Sequence, residues 1–386
     1  MKKITEKVSY FGSYDTDRRL FDQLVPTPEG TTYNNYLIEG SEKTALIDTV
    51  YPPRVPELIE KLKKHNIKID YIIANHGEQD HSGGIPKLLE LYPDAYVITN
   101  KNVAANINSM LNVPYDKIKI IEDQEQLSLG DKTLRFILAP FVHWPDTMFT
   151  YLEEDKMLFT CDFLGAHYTS SDIFADYTDN LIKAARRYYS EIIMPFRLFA
   201  ADYVKKVKEL DPKFLLPSHG PIYNKPDFIL DLYSEWTSDK VKPIVLIPYV
   251  SMYESTKMMV DYLAKKLKEK GMEPKVFDLV GNDLGELASD LVDASTVILG
   301  TSMVLAGPHP QSVCAAYLIN ILRPKIKAFG IIGSYGWGGN LSGVIDKIIT
   351  IIKPKKLDNV IIKGVPKEED YKKLDTLVEE ITNIPT

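Results

Sequence analysis

The fourteen residues from Tyr71 to Gly84, YIIANHGEQDHSGG, limit the fold of this chain more than any other stretch. An isoleucine-rich apolar run that stops at a polar break reads as a buried strand. Directly behind it, the six residues from His76 to His81 hold four side chains able to ligate a metal: His76, Glu78, Asp80 and His81. Gly83 and Gly84 then let the backbone turn into a helix whose apolar positions begin at Ile85. A strand end fixes the backbone, so a short loop beyond it can aim several side chains at one point. In extended chain His76, Glu78 and Asp80 alternate onto one side, and His81 joins them only if the loop turns. A polar surface loop is the plain alternative, but this density of ligands favours a metal site. Four side chains on six residues cannot enclose two ions alone. With seven histidines in the chain, the distant partners come from His143, His167 and His219, with His65 and His309 less favoured.

The surrounding text supplies strands and helices in alternation. Asn34 to Thr49 reads as a hairpin, Pro56 to Lys64 as an amphipathic helix, and Ile85 to Leu91 as a second helix. Further strands are expected at 95–99, 118–121, 134–138, 148–152 and 157–160, and at 214–216 just before Pro217, Ser218 and His219. Helices are expected at 180–189 and 201–209. His143 lies between two of the strands and Asp162 just after another. Ligands delivered at strand ends over two rounds of strands and helices fit a two-sheet sandwich with helices outside and a metal site at one edge.

At 386 residues the chain is too long for one ordinary core, and the composition changes near Val241 to Pro243. Two domains are therefore expected, 1–242 and 243–386. Beyond Pro243 five strands alternate with helices, the pattern of a doubly wound parallel sheet, whose ligands sit at the carboxyl ends of the strands. Three such ends carry suggestive loops. Ser251, Met252, Tyr253, Glu254, Ser255 and Thr256 open a helix, and hydroxyls beside free amides at a helix start suit a phosphate. Thr301, Ser302, Met303 and Gly307 follow the third strand. Ser334, Tyr335, Gly336, Trp337 and Gly338 follow the fourth, where an indole can lie against a planar ring while glycines let backbone approach it. There is no Gly-x-x-x-x-Gly-Lys for a nucleoside triphosphate, so a monophosphate, FMN, is the expected occupant.

Composition narrows the class further. A net charge of −7 without a basic stripe argues against nucleic acid. Cys161 and Cys314 are the only cysteines, too few for a disulfide framework or a Cys-x-x-Cys iron site. MKKITEKVSYF lacks the apolar stretch of a signal peptide, and no run approaches a membrane span, so a soluble cytoplasmic protein is expected.

The metal set read from the residues is His76, Glu78, Asp80, His81, His143, Asp162 and His219. Four imidazoles and three carboxylates suit two divalent ions, and one bridging hydroxide would leave the site near neutral. Zinc hydrolases of this layout carry His-x-His-x-Asp-His, whereas the second histidine here is Glu78. A carboxylate there adds charge and a harder donor, which favours iron or manganese. His167, five residues past Asp162, is expected to line the site without binding metal, a structural or a ligand role remaining open. Cys161 reads as a small buried residue. Tyr188 or Tyr189 brings a phenol near the metals unless both pack as core.

These residues resemble the flavodiiron proteins, also called A-type flavoproteins, across essentially the whole chain. The resemblance rests on HGEQDHSGG (76–84), HWPDTM (143–148), Cys161–Asp162, SHGP (218–221), SMYEST (251–256), GPHP (307–310) and GSYGW (333–337). It implies a metallo-β-lactamase-like αββα domain holding a non-haem di-iron centre, followed by a flavodoxin-like domain holding FMN. One iron would be bound by His76, Glu78 and His143, the other by Asp80, His81 and His219, with Asp162 bridging. Members reduce dioxygen to water, nitric oxide to nitrous oxide, or both. They take electrons from a donor such as rubredoxin or a reduced deazaflavin coenzyme. The resemblance also implies a head-to-tail homodimer or a dimer of dimers, and the chain matches the minimal two-domain class. It departs at Met303, Val304 and Leu305, where the family often has small polar residues or asparagine. Two other readings compete: a di-zinc hydrolase of a thioester or lactone with a regulatory flavodoxin-like part, and a plain electron carrier. Metal content separates the first, gas consumption the second.

Overall fold

The computed structural model describes residues 1–385, which fall into two compact units, Met1–Thr237 and the chain from Ser238 onward. The division comes at the end of the Pro226–Thr237 helix, slightly ahead of the composition change near residue 242.

In the first unit the strands Lys2–Lys3, Val8–Tyr10, Tyr36–Glu39, Thr44–Ile47, Tyr71–Ile73, Tyr96–Thr99 and Ile118–Ile120 form one sheet in that order. Pairing is antiparallel as far as Thr44–Ile47 and parallel beyond it. The strands Gln126–Ser128, Thr133–Leu138, Met148–Leu152, Met157–Cys161 and Phe214–Pro217 form a second sheet. Side chains of a strand alternate between faces, and here both faces of the first sheet's inner strands are covered, so those strands are almost wholly apolar, unlike the exposed edge strands Lys2–Lys3 and Ile118–Ile120. Ile38, Ile47, Ile73 and Ile98 point inward against Phe136, Met148, Phe159 and Leu216 of the second sheet. Their neighbours Leu37, Leu46, Ile72 and Val97 point outward onto Leu58, Leu62, Leu88, Val103 and Ile107, which come from three helices. Each fully buried aliphatic chain contributes about 1.5–3 kcal/mol. This is the helix-flanked sandwich expected from the strand pattern.

Several elements escaped the sequence pattern. Lys101–Leu111 and Leu284–Leu291 are helices, capped by the side chains of Asn100 and Asp283. The expected helix at 180–189 runs from Asp179 to Tyr188 and passes into a π turn, Tyr189–Ile193. Successive helical residues point about 100° apart, so Tyr188 and Tyr189 leave the helix in different directions.

In the second unit the strands Glu273–Asp278, Lys242–Tyr249, Ala294–Val304, Ala328–Tyr335 and Val360–Lys363 lie side by side in that order, all parallel. The order 2-1-3-4-5 is flavodoxin-like, and its switch point lies between the first and third strands of the unit. Among the described residues no helix is long and apolar enough to cross a membrane.

Candidate functional site

The two sheets of the first unit end at one edge, and hydrogen bonds lock those ends together. Asp48, just past the Thr44–Ile47 strand, accepts the Asn75 backbone N–H at 2.8 Å and its side-chain amide at 3.1 Å. It also accepts the Ser218 hydroxyl at 3.2 Å. Thr150 donates to Asn75 Oδ1 at 2.7 Å from the opposite sheet. Asn75 and Ser218 immediately precede His76 and His219, so one buried carboxylate sets the stems of two ligand segments.

The ligand loop does turn. Glu78 is extended and is followed by a single helical turn, Gln79–Ser82, which brings Asp80 and His81 round to the same side as His76. The carbonyl of His81 is held at 2.6 Å by both the backbone and the hydroxyl of Thr49. Gly84 packs against Thr49, and a Cβ on Gly83 would stand 2.4 Å from the Gln79 carbonyl.

All seven candidate ligands come together. Ligand atoms of His76, Glu78, His143 and Asp162 lie within 4.8 Å of one another, and so do those of Asp80, His81 and His219. Asp162 stands between the two sets. Its Oδ1 faces His81 Nε2 at 3.0 Å and His219 Nε2 at 3.4 Å. Its Oδ2 faces His143 Nε2 at 3.5 Å and His76 Nε2 at 3.7 Å.

The electrostatics show what the cluster lacks. Burial alone would strip the proton from His76, yet hydrogen bonds to Asp146 and Glu78 push its pKa up to about 10. Burial is likewise outweighed at His81, by the Asp162 and Asp80 charges, and at His143, by Asp162 and Glu78; both rise to about 10. Conversely Glu78 is driven down, against burial, by His143 and His76, and Asp162 falls well below its usual range beside His81 and His143. A buried group of carboxylates is drawing in positive charge that bound cations can supply equally well. Asp80 Oδ1 and His81 Nε2, 3.3 Å apart and with Asp162 Oδ1 3.0 Å from the imidazole, are buried without a well-aligned hydrogen bond. Hard oxygen donors and imidazoles converging on one buried centre fit two metal ions.

Several neighbours that the sequence did not single out complete the arrangement. Asp146, fully buried, bonds His76 Nδ1 at 2.7 Å. The Thr32 carbonyl accepts from His219 Nδ1 at 2.6 Å. Asp146 lies three residues past His143 and was the easiest to find. Tyr188 donates to Asp162 Oδ1 at 3.2 Å, whereas Tyr189 bonds the Trp236 carbonyl in the core. His167 lies buried beside the centre, its ring 5.2 Å from that of His219, with Nδ1 held by Thr31 at 2.8 Å. Burial and the neighbouring His219 keep it neutral. Cys161 is buried, its sulfur 4.0 Å from Asp162, and burial holds the thiol protonated. His65 caps the Val55–Lys64 helix on the surface. A cavity of about 260 Å³ opens on Glu78 and Asp80 between Arg18, Phe21, Asp22, Tyr51, Met110 and Trp144.

In the second unit the three expected loops also meet at one edge. Thr256, at the start of the Ser255–Glu269 helix, lies 2.9 Å from the Ser334 hydroxyl and 3.3 Å from that of Ser302. The Ser302 hydroxyl accepts from Met252 N–H, and Ser251 caps the N–H of Lys257. Tyr253 and Trp337 are exposed, and a Cβ on Gly336 or Gly338 would meet nothing within 4 Å. The third and fourth strands run past their expected ends: Thr301 and Met303 lie in the Ala294–Val304 strand and Tyr335 ends the Ala328–Tyr335 strand. Glu254, Ser255 and Gly307 lie close after strand ends, and Met303 lies against Gly339. His309 caps the Pro310–Leu322 helix through its ring, Nδ1 accepting from the Gln311 N–H. A hydroxyl cluster at a helix start beside open glycines and an exposed indole fits a phosphate joined to a planar ring.

Comparison with known proteins bears on the same two features. A family model described as ODP family beta lactamase matches residues 31–220. A nitric oxide reductase of Moorella thermoacetica is 34% identical, the match covering 98% of this chain and 97% of that protein. Flavo-diiron protein FprA2 of Clostridium acetobutylicum is 32% identical over 96% of each chain. The solved structure of a rubredoxin oxygen:oxidoreductase from Desulfovibrio gigas superposes with a TM-score of 0.93 at 30% identity, covering 99% of this chain and 97% of that one.

Proposed function

The chain belongs to the flavodiiron proteins, and from that membership we propose that it holds two iron ions and FMN and reduces dioxygen to water, nitric oxide to nitrous oxide, or both. The observation that carries the assignment is Asp162, one oxygen of which faces each ligand trio. In this reading His76, Glu78 and His143 hold one ion, Asp80, His81 and His219 hold the other, and Asp162 bridges. Ser251 to Thr256, Thr301 to Met303, Gly307 and Ser334 to Gly338 receive the flavin. When bound, the ions and the flavin supply two electrons each, enough to take dioxygen to water; two molecules of nitric oxide need two electrons to give nitrous oxide.

The chain's own residues do the rest. The Thr32 carbonyl fixes the proton of His219 on Nδ1, which leaves the Nε2 lone pair facing the centre. Tyr188 stays protonated, because burial and the adjacent Asp162 charge both raise its pKa. Its hydroxyl therefore keeps donating to Asp162 and holds the carboxylate in place. In this reading the cavity beside Glu78 and Asp80, walled by Phe21 and Trp144, admits a diatomic gas to the ligands.

Rubredoxin is the donor we infer, on the strength of a relative described as a rubredoxin-oxygen oxidoreductase, with a reduced deazaflavin coenzyme the alternative implied by the resemblance alone. The exposed apolar residues Tyr253, Leu305 and Trp337 on one unit and Leu198 and Phe199 on the other support a head-to-tail dimer or a dimer of dimers. A cytoplasmic location belongs to the same reading. The experiment is anaerobic purification with iron, zinc and flavin counted per chain, then gas uptake with each donor. Two irons, one FMN and consumption of either gas are expected. Zinc without flavin, with hydrolysis of a thioester, would replace this reading by a di-zinc hydrolase.

A further inference from the structure

Resting on the di-iron reading above, we propose that Asp146 is a positioning residue for one metal ion only, the one held by His76, and that it makes the two positions unequal. Asp146 is not among the seven candidate ligands, yet it is 1% exposed and tied down from two segments, the His76–Gly77 stem and the Lys101–Leu111 helix with its Asn100 cap. Its Oδ1 lies 2.7 Å from His76 Nδ1. Its Oδ2 accepts from Gly77 N–H at 3.1 Å and from the Asn106 amide at 2.8 Å. Its backbone carbonyl accepts from the Asn100 amide at 2.7 Å. With three donors on two oxygens the carboxylate has no freedom to rotate. With a metal on Nε2 the remaining His76 proton is therefore held on Nδ1, and Nε2 points at Glu78 and Asp162, 3.1 and 3.7 Å away. An imidazole backed by a carboxylate is the more basic, better oriented ligand.

The other trio has no counterpart. His219 is backed by the neutral Thr32 carbonyl. Asp48 comes within 4.8 Å of His81, but its oxygens are engaged by Asn75 and Ser218. Among the described residues His76 is thus the only one of the four ligating imidazoles whose outer nitrogen is hydrogen-bonded to a carboxylate. Replacing Asp146 by Asn leaves two arrangements. If the amide oxygen faces His76, the amide nitrogen meets two donors, Gly77 N–H and Asn106. If it faces the other way, His76 must carry its proton on Nε2, where the metal would bind.

The test is a titration of the full-length, FMN-loaded, metal-free protein with ⁵⁷Fe²⁺ under anaerobic conditions, with chelator competition for affinity and Mössbauer spectra to resolve the two ions. In Asp146→Asn one equivalent should bind 10–100-fold more weakly, the range found for partners behind a ligating histidine, while the other stays within about threefold of the unsubstituted protein. Asn106→Ala, which removes one donor and keeps the carboxylate, should weaken the same equivalent by less than about tenfold, and reads out the proposal if Asp146→Asn fails to fold. Unchanged affinities, or an equal loss at both positions, would overturn it and leave Asp146 an ordinary fold support. If the unsubstituted protein itself does not take up two irons, the di-iron reading fails, a result distinct from either of these.

Discussion

Removing the shared carboxylate is the sharpest test of how the centre is built. Asp162→Ala takes away Oδ1 from His81 and His219 and Oδ2 from His143 and His76 in a single change. Each ion then loses one protein donor. Loss of a residue that merely supports a ligand costs about 10–100-fold in affinity, so that range is a lower bound per ion here. At about 1.4 kcal/mol per tenfold, the two ions together lose about 3–6 kcal/mol of binding free energy or more. Binding that favours the folded state stabilises it by about 2.7 kcal/mol at a hundredfold excess over Kd, so the gain in melting temperature on adding iron should shrink sharply. The assay is iron per chain after anaerobic gel filtration, together with thermal unfolding with and without Fe²⁺. Flavin content serves as the internal control, since the Thr256, Ser302 and Ser334 hydroxyls lie in the other unit. Loss of both ions with flavin retained is expected. Loss of one ion alone would show that Asp162 is an ordinary ligand of one site, and retention of both would refute the geometry.

Three further outcomes follow from the same structure. His76, His81 and His143 are raised to about 10, so the metal-free protein gains stability from their bound protons below pH 6.5 and loses it as pH climbs toward 10. Its urea midpoint should fall across that window, and iron uptake at pH 8 should release protons into unbuffered solution; a flat or rising midpoint would contradict the charge argument. Asp48→Asn sets an amide donor against the Asn75 amide or the Ser218 hydroxyl, which should cost about 1–3 kcal/mol in urea unfolding of the metal-free protein. No change in the midpoint would remove Asp48 from its role at the two ligand stems. Trp337, exposed on its loop, should be replaceable by Ala within about 0.5 kcal/mol of stability. FMN affinity, followed by fluorescence quenching, should nevertheless drop by about 0.5–1.5 kcal/mol, and unchanged affinity would mean the ring stacks elsewhere.

Much of this was legible in the chain because it is local. The strand text at Ile72–Ile73 and the four ligands behind it occupy consecutive positions, and a strand followed by a turn needs only neighbours to form. The hydroxyls at Ser251, Ser255 and Thr256 could be read for the same reason. What escaped lacked periodicity. The Lys101–Leu111 helix has its asparagine cap at Asn100, but Asn102, Asn106 and Asn108 blur its apolar stripe. One of those residues, Asn106, turns out to hold Asp146. The two adjacent tyrosines look alike in sequence, and only the packing around the helix shows that Tyr188 meets Asp162 while Tyr189 enters the core.

The sequence by itself determined the inventory: a sandwich pattern followed by a parallel-strand pattern, seven candidate ligands of the right chemistry, and three polar or glycine-rich stretches near strand ends. Only the tertiary structure decided the pairing. Which imidazoles share an oxygen of Asp162, which one leans on Asp146, and how Asp48 joins the stems of His76 and His219 depend on two sheets meeting at one edge. Residues such as Asp48 and Ser218, 170 positions apart, become neighbours only when the strands that carry them are packed, and nothing in the spacing of the letters encodes that distance.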